Sequence, residues 1–300
     1  MSKISVVINT FNEEKNISKA IKSVKDIADE IVVVDMESDD KTASIAKKAG
    51  AKVFNHKRMG YVEPARNFAI QKVTNEWILI LDADETIPPT LINKLRRIVK
   101  KPSADYYRLP RKNLIFGKWI KNSRWWPDHN IRFFKKGAVS WSEVIHSVPE
   151  TQGKGIDLAA KEELAITHFH YDSLEQYIHR MNRYTSAHAK IKIEEGCEFK
   201  WPDIIKKPMA EFLSRYFFGK GYKDGLHGLA LSGLQAFSEL VMYLKIWQAK
   251  EGFKAQSIPV KSVVHELYKA QKELNYWKAD VLVKEGAGVI QKIKRKFKLH

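Results

Sequence analysis

The chain has 300 residues, is 44% hydrophobic and carries a formal charge of +17 at pH 7. It is long and apolar enough to bury a substantial core, as one domain with an appendage or as two domains. The charge calls for an anionic partner, whether nucleic acid, an acidic membrane or a phosphorylated substrate, while a single cysteine, Cys197, excludes an intrachain disulfide and fits a reducing compartment.

The chain opens on a strand pattern, MSKISVVI, with no charged leader, cleavable apolar stretch or lipidation motif, so a cytoplasmic protein is expected. Three short apolar runs end in acids: SVVINTFNEE (Ser5 to Glu14), IVVVDMESDD (Ile31 to Asp40) and WILILDADE (Trp77 to Glu85). Runs this apolar predict strands buried on both faces of a parallel sheet, with the acids gathered along its carboxyl edge, where open α/β sheets bind ligands. Between the strands, Ile17, Ala20, Ile21 and Val24 follow one helical face, and Thr42, Ile45, Ala46 and Ala49 repeat that spacing with Gly50 as the stop. A short strand over 51–54, a helix over 63–73 with Pro64 in its first turn, the strand WILIL, and a helix opened by Pro88 and Pro89 follow. Four alternations of strand and helix mark a parallel sheet of nucleotide-binding type.

Beyond Lys100 the pattern changes. Strands are predicted over 106–109, 131–134 and 138–141, separated by an aromatic and basic stretch, FGKWIKNSRWWPDHN. Residues 96–136 hold thirteen Lys or Arg against only Asp105 and Asp128, whereas the first fifty residues carry eight Lys against nine acids, which places the basic surface outside the amino-terminal part. Residues 149–163 read as a linker or loop, and from Leu174 a helical pattern runs through Tyr177, Ile178, Met181 and Tyr184. In the apolar segment 225–247 the longest uncharged run, Gly225 to Ser238, has fourteen residues. A spanning helix needs about 18 to 20, so this one is expected to lie on a membrane or in a helical core without crossing. The last eleven residues, IQKIKRKFKLH, carry five positive charges with Ile290, Ile293 and Phe297 at helical spacing, and read either as a surface-binding helix or as a solvated tail.

The strongest chemical signal is Asp82-Ala83-Asp84-Glu85. A nucleoside diphosphate has to be neutralised before it leaves, and Mg²⁺ or Mn²⁺ held by one or two carboxylates and phosphate oxygens does this. Alone, two acids spaced this way read as helix-capping residues in a turn. The apolar strand before them and Asp35 at the end of a second strand favour a site. Asp35 there accepts hydrogen bonds from a base or ribose, or else caps the helix near Thr42.

The series VVINTFNEE, VVVDMESDDKT, EPARNFAI and WILILDADE resembles the inverting family-two glycosyltransferases of GT-A fold, and among them the WaaE-type beta-glucosyltransferases of the lipopolysaccharide core. The likeness covers about the first 150 residues and continues more loosely through THFHYDS and FFGKGYKDGLHGL. It implies that Thr10, Asn12, Glu13 and Asp35 hold the nucleotide, that Asp82 and Asp84 are the D-x-D acids with Asp84 the direct metal ligand, and that Arg66, beside Asn67, faces the diphosphate. The metal is Mg²⁺ or Mn²⁺, and the donor leans toward a uridine sugar. Where relatives carry V-H-E, this chain reads Val144-Ile145-His146-Ser147, so that acid's role does not carry over.

Inversion needs a general base, and a carboxylate on the acceptor side is the usual solution. Asp128, nearly the only acid in a basic and aromatic segment, is the first choice and Glu143 the second; otherwise Asp128 simply pairs with Arg124 or Arg132. His168 and His170 alternate on a strand and are weak metal candidates against a structural role. Trp119, Trp125 and Trp126 stack on a sugar, insert at a membrane interface or pack in a core. The expectation is an α/β, mainly parallel GT-A sheet over 1–165 with a helical, basic extension over 166–300. Expected partners are a nucleotide-sugar donor, a glycolipid or oligosaccharide acceptor and an anionic membrane surface on the inner face of the cell membrane, and not nucleic acid. A nucleotidyltransferase, or a basic nucleic-acid-binding protein, is the alternative.

Overall fold

A computed structural model describes residues 3–58, 63–141, 149–286 and 288–299. In chain order the first elements are β1 (Ile4–Thr10), α1 (Ile17–Val24), β2 (Glu30–Asp35), α2 (Thr42–Lys48), β3 (Lys52–Asn55), α3 (Glu63–Lys72), β4 (Trp77–Asp82), β5 (Glu85–Thr86) and α4 (Pro89–Lys100). Short strands follow: β6 (Tyr106–Leu109), β7 (Arg111–Ile115), β8 (Lys118–Trp119), β9 (Asn130–Lys135), β10 (Val139–Ser140), β11 (Glu150–Thr151), β12 (Gly155–Asp157) and β13 (Ile166–Tyr171). The rest is helical: α5 (Leu174–Glu194), α6 (Asp203–Leu213), α7 (Leu226–Glu251), α8 (Val260–Lys284) and α9 (Val289–Phe297).

The chain divides into two compact units, residues 1–115 with 126–170, and residues 116–125 with 171–300. In the first, seven strands form a sheet in the order β12-β6-β9-β4-β1-β2-β3. β1 is parallel to β2 and β4, and β2 to β3, while β9 runs antiparallel between β4 and β6. The three apolar runs are buried because side chains alternate across the sheet into two cores. Ile4, Val6 and Ile8 of β1 join Leu79 and Leu81 of β4 beneath α1 and α4. Val7 joins Val32, Val34, Ile78 and Ile80 against Ala65 and Ala69 of α3. Trp77 stacks on Phe133 of β9 at 4.8 Å between ring centroids. β5, β13 and β7 make a second, smaller sheet in the same unit.

Two expectations change. The stretch 149–163 is not a plain linker: Gly155–Asp157 pairs in parallel with β6 as the outermost strand, a contact made by backbone and needing no apolar run. In the basic stretch 96–136, Arg108, Arg111, Lys112, Arg132 and Lys135 are held in ion pairs with Asp157, Asp128, Glu162, Glu85 and Asp105 respectively. Its charge is therefore partly internal.

The second unit is a helical assembly in which α5 and α6 pack on α7. Ala189, Met242, Tyr243 and Ile246 form a core there with Cys197 and Phe199 at its margin. Residues 116–125 are tied into this unit by Asp224, whose carboxylate accepts the Lys121 and Asn122 N–H groups, and by Ser123, whose N–H donates to the Gly219 carbonyl at 2.7 Å. Gly228 of α7 lies so close to the Gly221 carbonyl that any Cβ would sit 1.8 Å from it. α7, with 26 residues, is by length and composition long and apolar enough to cross a membrane, more than its uncharged run suggested. Lys245 in its second half donates to Asn182, Thr185 and Ser186 of α5.

Candidate active site

The parallel register sets four polar side chains in a row at the carboxyl ends of three neighbouring strands. Thr10 lies opposite Asp35, and Asn9 opposite Asp82. Asn9, Thr10 and Asp35 are buried. Among the described residues, neither polar atom of the Asn9 side chain nor the Thr10 hydroxyl has a hydrogen-bond partner. Buried polar groups are nearly always paired with protein or ordered water, so these atoms have hydrogen-bonding capacity to offer water or a polar ligand.

The loops after β1 and β2 are laced together. Asn12 takes φ +53°, which asparagine tolerates, and its Oδ1 accepts the Asp39 N–H at 2.8 Å while its own N–H donates to Ser38 Oγ. The Ser38 hydroxyl and N–H both donate to Asp35, at 2.6 and 3.0 Å. Each Asp35 oxygen thus takes one of these bonds and has a second lone pair for another donor. Asp40, not Asp35, accepts the Thr42 N–H at the start of α2. Glu13 lies at the same edge: its N–H donates to Thr42 Oγ1, and its carboxylate accepts from Asn16.

After β4 the three acids separate. Asp82 sits between Arg66 at 3.0 Å and Arg132 at 2.5 Å. Burial pushes its pKa up, but the charges of Arg132 and Arg66 outweigh that and hold the carboxyl well below the usual range. Glu85 turns inward and is fully buried, accepting from the Asp82 N–H at 2.9 Å, Arg132 at 2.8 Å and Arg111 at 3.3 Å. Glu85, Arg111 and Arg132 form this buried cluster with Asp82 without having been singled out as site residues. For Glu85 the signal was its place in an acid run, while the arginines come from β7 and β9, whose basic sequence hides which charges turn in.

Asp84, one residue before Glu85, goes elsewhere. His168 of β13 lies directly across from Glu85 in the β5–β13 pairing, and its Nε2 is 3.5 Å from Asp84 Oδ2. Two ligands each about 2.1 Å from one small cation stand roughly 3 to 3.5 Å apart when adjacent. The pair therefore fits a divalent ion. No cluster of three or more His, Cys, Asp and Glu donors exists among the described residues, which leaves the remaining coordination to water and phosphate oxygens, as Mg²⁺ commonly has it. The His168 Nδ1 meets Asn113 Oδ1 at 2.7 Å, and His170 stacks on the His168 ring at 4.3 Å.

Asp128 pairs with neither Arg124 nor Arg132. Its Oδ2 accepts from Arg111 Nε at 2.8 Å and from Asn113 Nδ2 at 3.0 Å, and Oδ1 accepts from Asn130 at 3.1 Å. Burial works to raise its pKa, and the Arg111 charge with these hydrogen bonds lowers it overall. Glu143, like Val144 to Ser147, lies outside the described residues. Asn67 exchanges two hydrogen bonds with the Trp141 backbone, at 2.6 and 3.0 Å, and so fixes the chain after β10. Trp119 and Trp125 belong to the second unit, beneath the cations of Lys121 and Arg215.

The family model described as glycosyl transferase family 2 matches residues 5–152. The chain is 33% identical over 255 residues to an uncharacterized glycosyltransferase of Rickettsia typhi, covering 82% of this chain and 87% of that one. It is 24% identical over 252 residues to the lipopolysaccharide core biosynthesis glycosyltransferase LpsC of Rhizobium meliloti, covering 82% and 92%. Among solved structures it is similar to S. aureus TarS in complex with UDP, at 15% identity, with a TM-score of 0.45 and 86% and 94% of the two chains covered.

Proposed function

The chain belongs to the family 2 glycosyltransferases and has their GT-A fold, and from there we propose that it is a metal-dependent, inverting enzyme moving a hexose from a uridine diphosphate donor to a glycan or glycolipid of the cell envelope. One observation carries this reading: Asp84 and His168 meet at 3.5 Å beside a sheet edge where Asn9 and Thr10 have no side-chain partner among the described residues. Family membership displaces the nucleotidyltransferase alternative.

In this reading Thr10, Asn12, Glu13 and Asp35 hold the nucleoside, Arg66 and Asp82 lie at the diphosphate end, and Asp84 with His168 holds Mg²⁺ or Mn²⁺, which supplies charge neutralisation for the leaving diphosphate. The acceptor oxygen forms its bond to the anomeric carbon as the carbon–phosphate-oxygen bond breaks, and that electron pair leaves on the diphosphate. The acceptor's proton passes to a carboxylate, for which Asp128 and Glu143 are the two proposed groups. Similarity to LpsC, named for lipopolysaccharide core biosynthesis, supports an envelope acceptor.

Association with the cytoplasmic leaflet is proposed for α9. Its Ile290, Ile293 and Phe297 are exposed beside Lys292, Lys294 and Lys296, the composition of a helix lying on an anionic surface.

Thermal denaturation with a panel of nucleotide sugars, with and without Mn²⁺, tests the enzyme reading, because a ligand at 100 times its Kd stabilises by about 2.7 kcal/mol. A uridine sugar should raise the transition with Mn²⁺ and not in EDTA. No rise with any nucleotide sugar overturns it.

A further inference from the structure

Two buried side chains, Asn113 and His168, connect Asp128 to Asp84 at the proposed cation site, all within the first unit. Asn113 is fully buried on β7 and His168 nearly so on β13. Asp128 Oδ2 receives Asn113 Nδ2 at 3.0 Å, Asn113 Oδ1 faces His168 Nδ1 at 2.7 Å, and His168 Nε2 stands 3.5 Å from Asp84.

Hydrogen-bond polarity fixes the direction of this chain. Asp128 is held ionised by Arg111, so it can only accept. Asn113 must therefore turn its NH₂ toward Asp128 and its carbonyl toward His168. A carbonyl opposite a ring nitrogen requires that nitrogen to carry the proton, so the Asn113 carbonyl fixes a proton on His168 Nδ1 and leaves Nε2, on the Asp84 side, as the nitrogen that can take a cation. A lone pair facing a carboxylate repels it unless positive charge lies between, and metal-binding histidines characteristically donate their other ring N–H to a carbonyl or carboxylate.

We propose that Asp128 and Asn113 are positioning residues which set the tautomer and orientation of His168 so that Nε2, beside Asp84, is presented to a divalent cation. The inference rests on the glycosyltransferase reading and gives Asp128 a role apart from taking the acceptor's proton. Asp128 keeps its Oδ2 saturated by Arg111 and Asn113. The anchor uses Oδ2, while Oδ1, which accepts from Asn130, is the oxygen that a base would use.

The substitutions separate these roles. Asp128→Ala removes the acceptor that orients Asn113; Asn113→Ala cuts the link itself. Both should weaken Mn²⁺ binding, measured by electron paramagnetic resonance titration of the full chain with Mn²⁺ in the presence of UDP, by roughly 10- to 100-fold. Asp128→Asn retains an acceptor oxygen for Arg111 and Asn113, so its Mn²⁺ affinity should stay within a few-fold of wild type. Independently of any variant, long-range ¹H–¹⁵N spectra of the metal-free wild-type protein at alkaline pH should show His168 protonated at Nδ1. Mn²⁺ binding by wild type with no loss in Asp128→Ala or Asn113→Ala, or a His168 protonated at Nε2, overturns the positioning role while leaving the enzyme reading intact. A wild-type protein that shows the Nδ1 tautomer yet binds no Mn²⁺ with UDP overturns the proposal through its cation, and the metal-dependent reading with it.

Discussion

Glu85→Gln is the sharpest test of the buried charge cluster. The fully buried carboxylate accepts from Arg132 at 2.8 Å, Arg111 at 3.3 Å and the Asp82 N–H at 2.9 Å. Gln has the same shape but one acceptor oxygen, so at least one of these donors faces an NH₂ group. A hydrogen bond to a charged group contributes about 1.5–3 kcal/mol, and stranding a buried donor costs about 1–3 kcal/mol more. Arg132 keeps Asp82 and Arg111 keeps Asp128, which limits the damage to the usual cost of breaking a buried pair, about 3–5 kcal/mol. Urea unfolding at pH 7 should register that loss, and hydrogen exchange should place it in the amides of β4 and β9 even if the two units unfold separately. Replacing Arg132 by Met in the same protein should recover part of it, because the uncompensated cation is then gone. A loss below about 1 kcal/mol, or strictly additive effects in the double variant, would refute the idea that Glu85 neutralises the arginines.

Asp84→Ala should abolish Mn²⁺-dependent transfer while far-UV circular dichroism stays that of wild type; unchanged turnover removes Asp84 from the metal site. Asp35→Ala should raise the donor KM more than it lowers kcat, the mark of lost ground-state binding, and the reverse split contradicts a base or ribose contact. Glu30 is bound by Ser5, Lys52 and Thr74, and although burial opposes it, these partners lower its pKa to about 2 from 4.5. A lowered pKa means stabilisation present above pH 4.5 and lost as pH falls toward 2, so Glu30→Gln should cost about 3 kcal/mol at pH 7 and the gap from wild type should close across that window in acid unfolding. Removing residues 290–300 should weaken sedimentation with anionic vesicles, by up to about 1 kcal/mol per basic residue, and raising salt should mimic it as the screening length falls below about 10 Å; binding indifferent to both would move the membrane contact to α7.

The polar carboxyl edge of the sheet was readable in advance because β1, β2 and β4 are each a closed apolar run, and an apolar run that stops at polar and acidic residues fixes both where the strand ends and what stands there. Thr10 then falls opposite Asp35, and Asn9 opposite Asp82, with no further information. The chemistry behind that edge was not readable in the same way. Arg111, Asn113, Asp128 and Arg132 reach it from β7, β9 and the segment between them, through contacts 15 to 50 residues apart in the chain, and nothing in RKNLI distinguishes the turned-in Arg111 and Asn113 from the Lys112 that pairs outward with Glu162. Linear charge density misleads for the same reason. The longest basic stretch, 96–136, spends part of its charge on Asp82, Glu85, Asp105, Asp128, Asp157 and Glu162. In α9, by contrast, Arg295 has Asp280 as a partner, whereas Lys292, Lys294 and Lys296 have no ion-pair partner among the described residues. A charge already matched inside the protein has little left to offer a phosphate outside it, so the anionic surface should be sought at the fewer, unmatched lysines of the carboxyl terminus, beside the apolar side chains that could enter a bilayer with them.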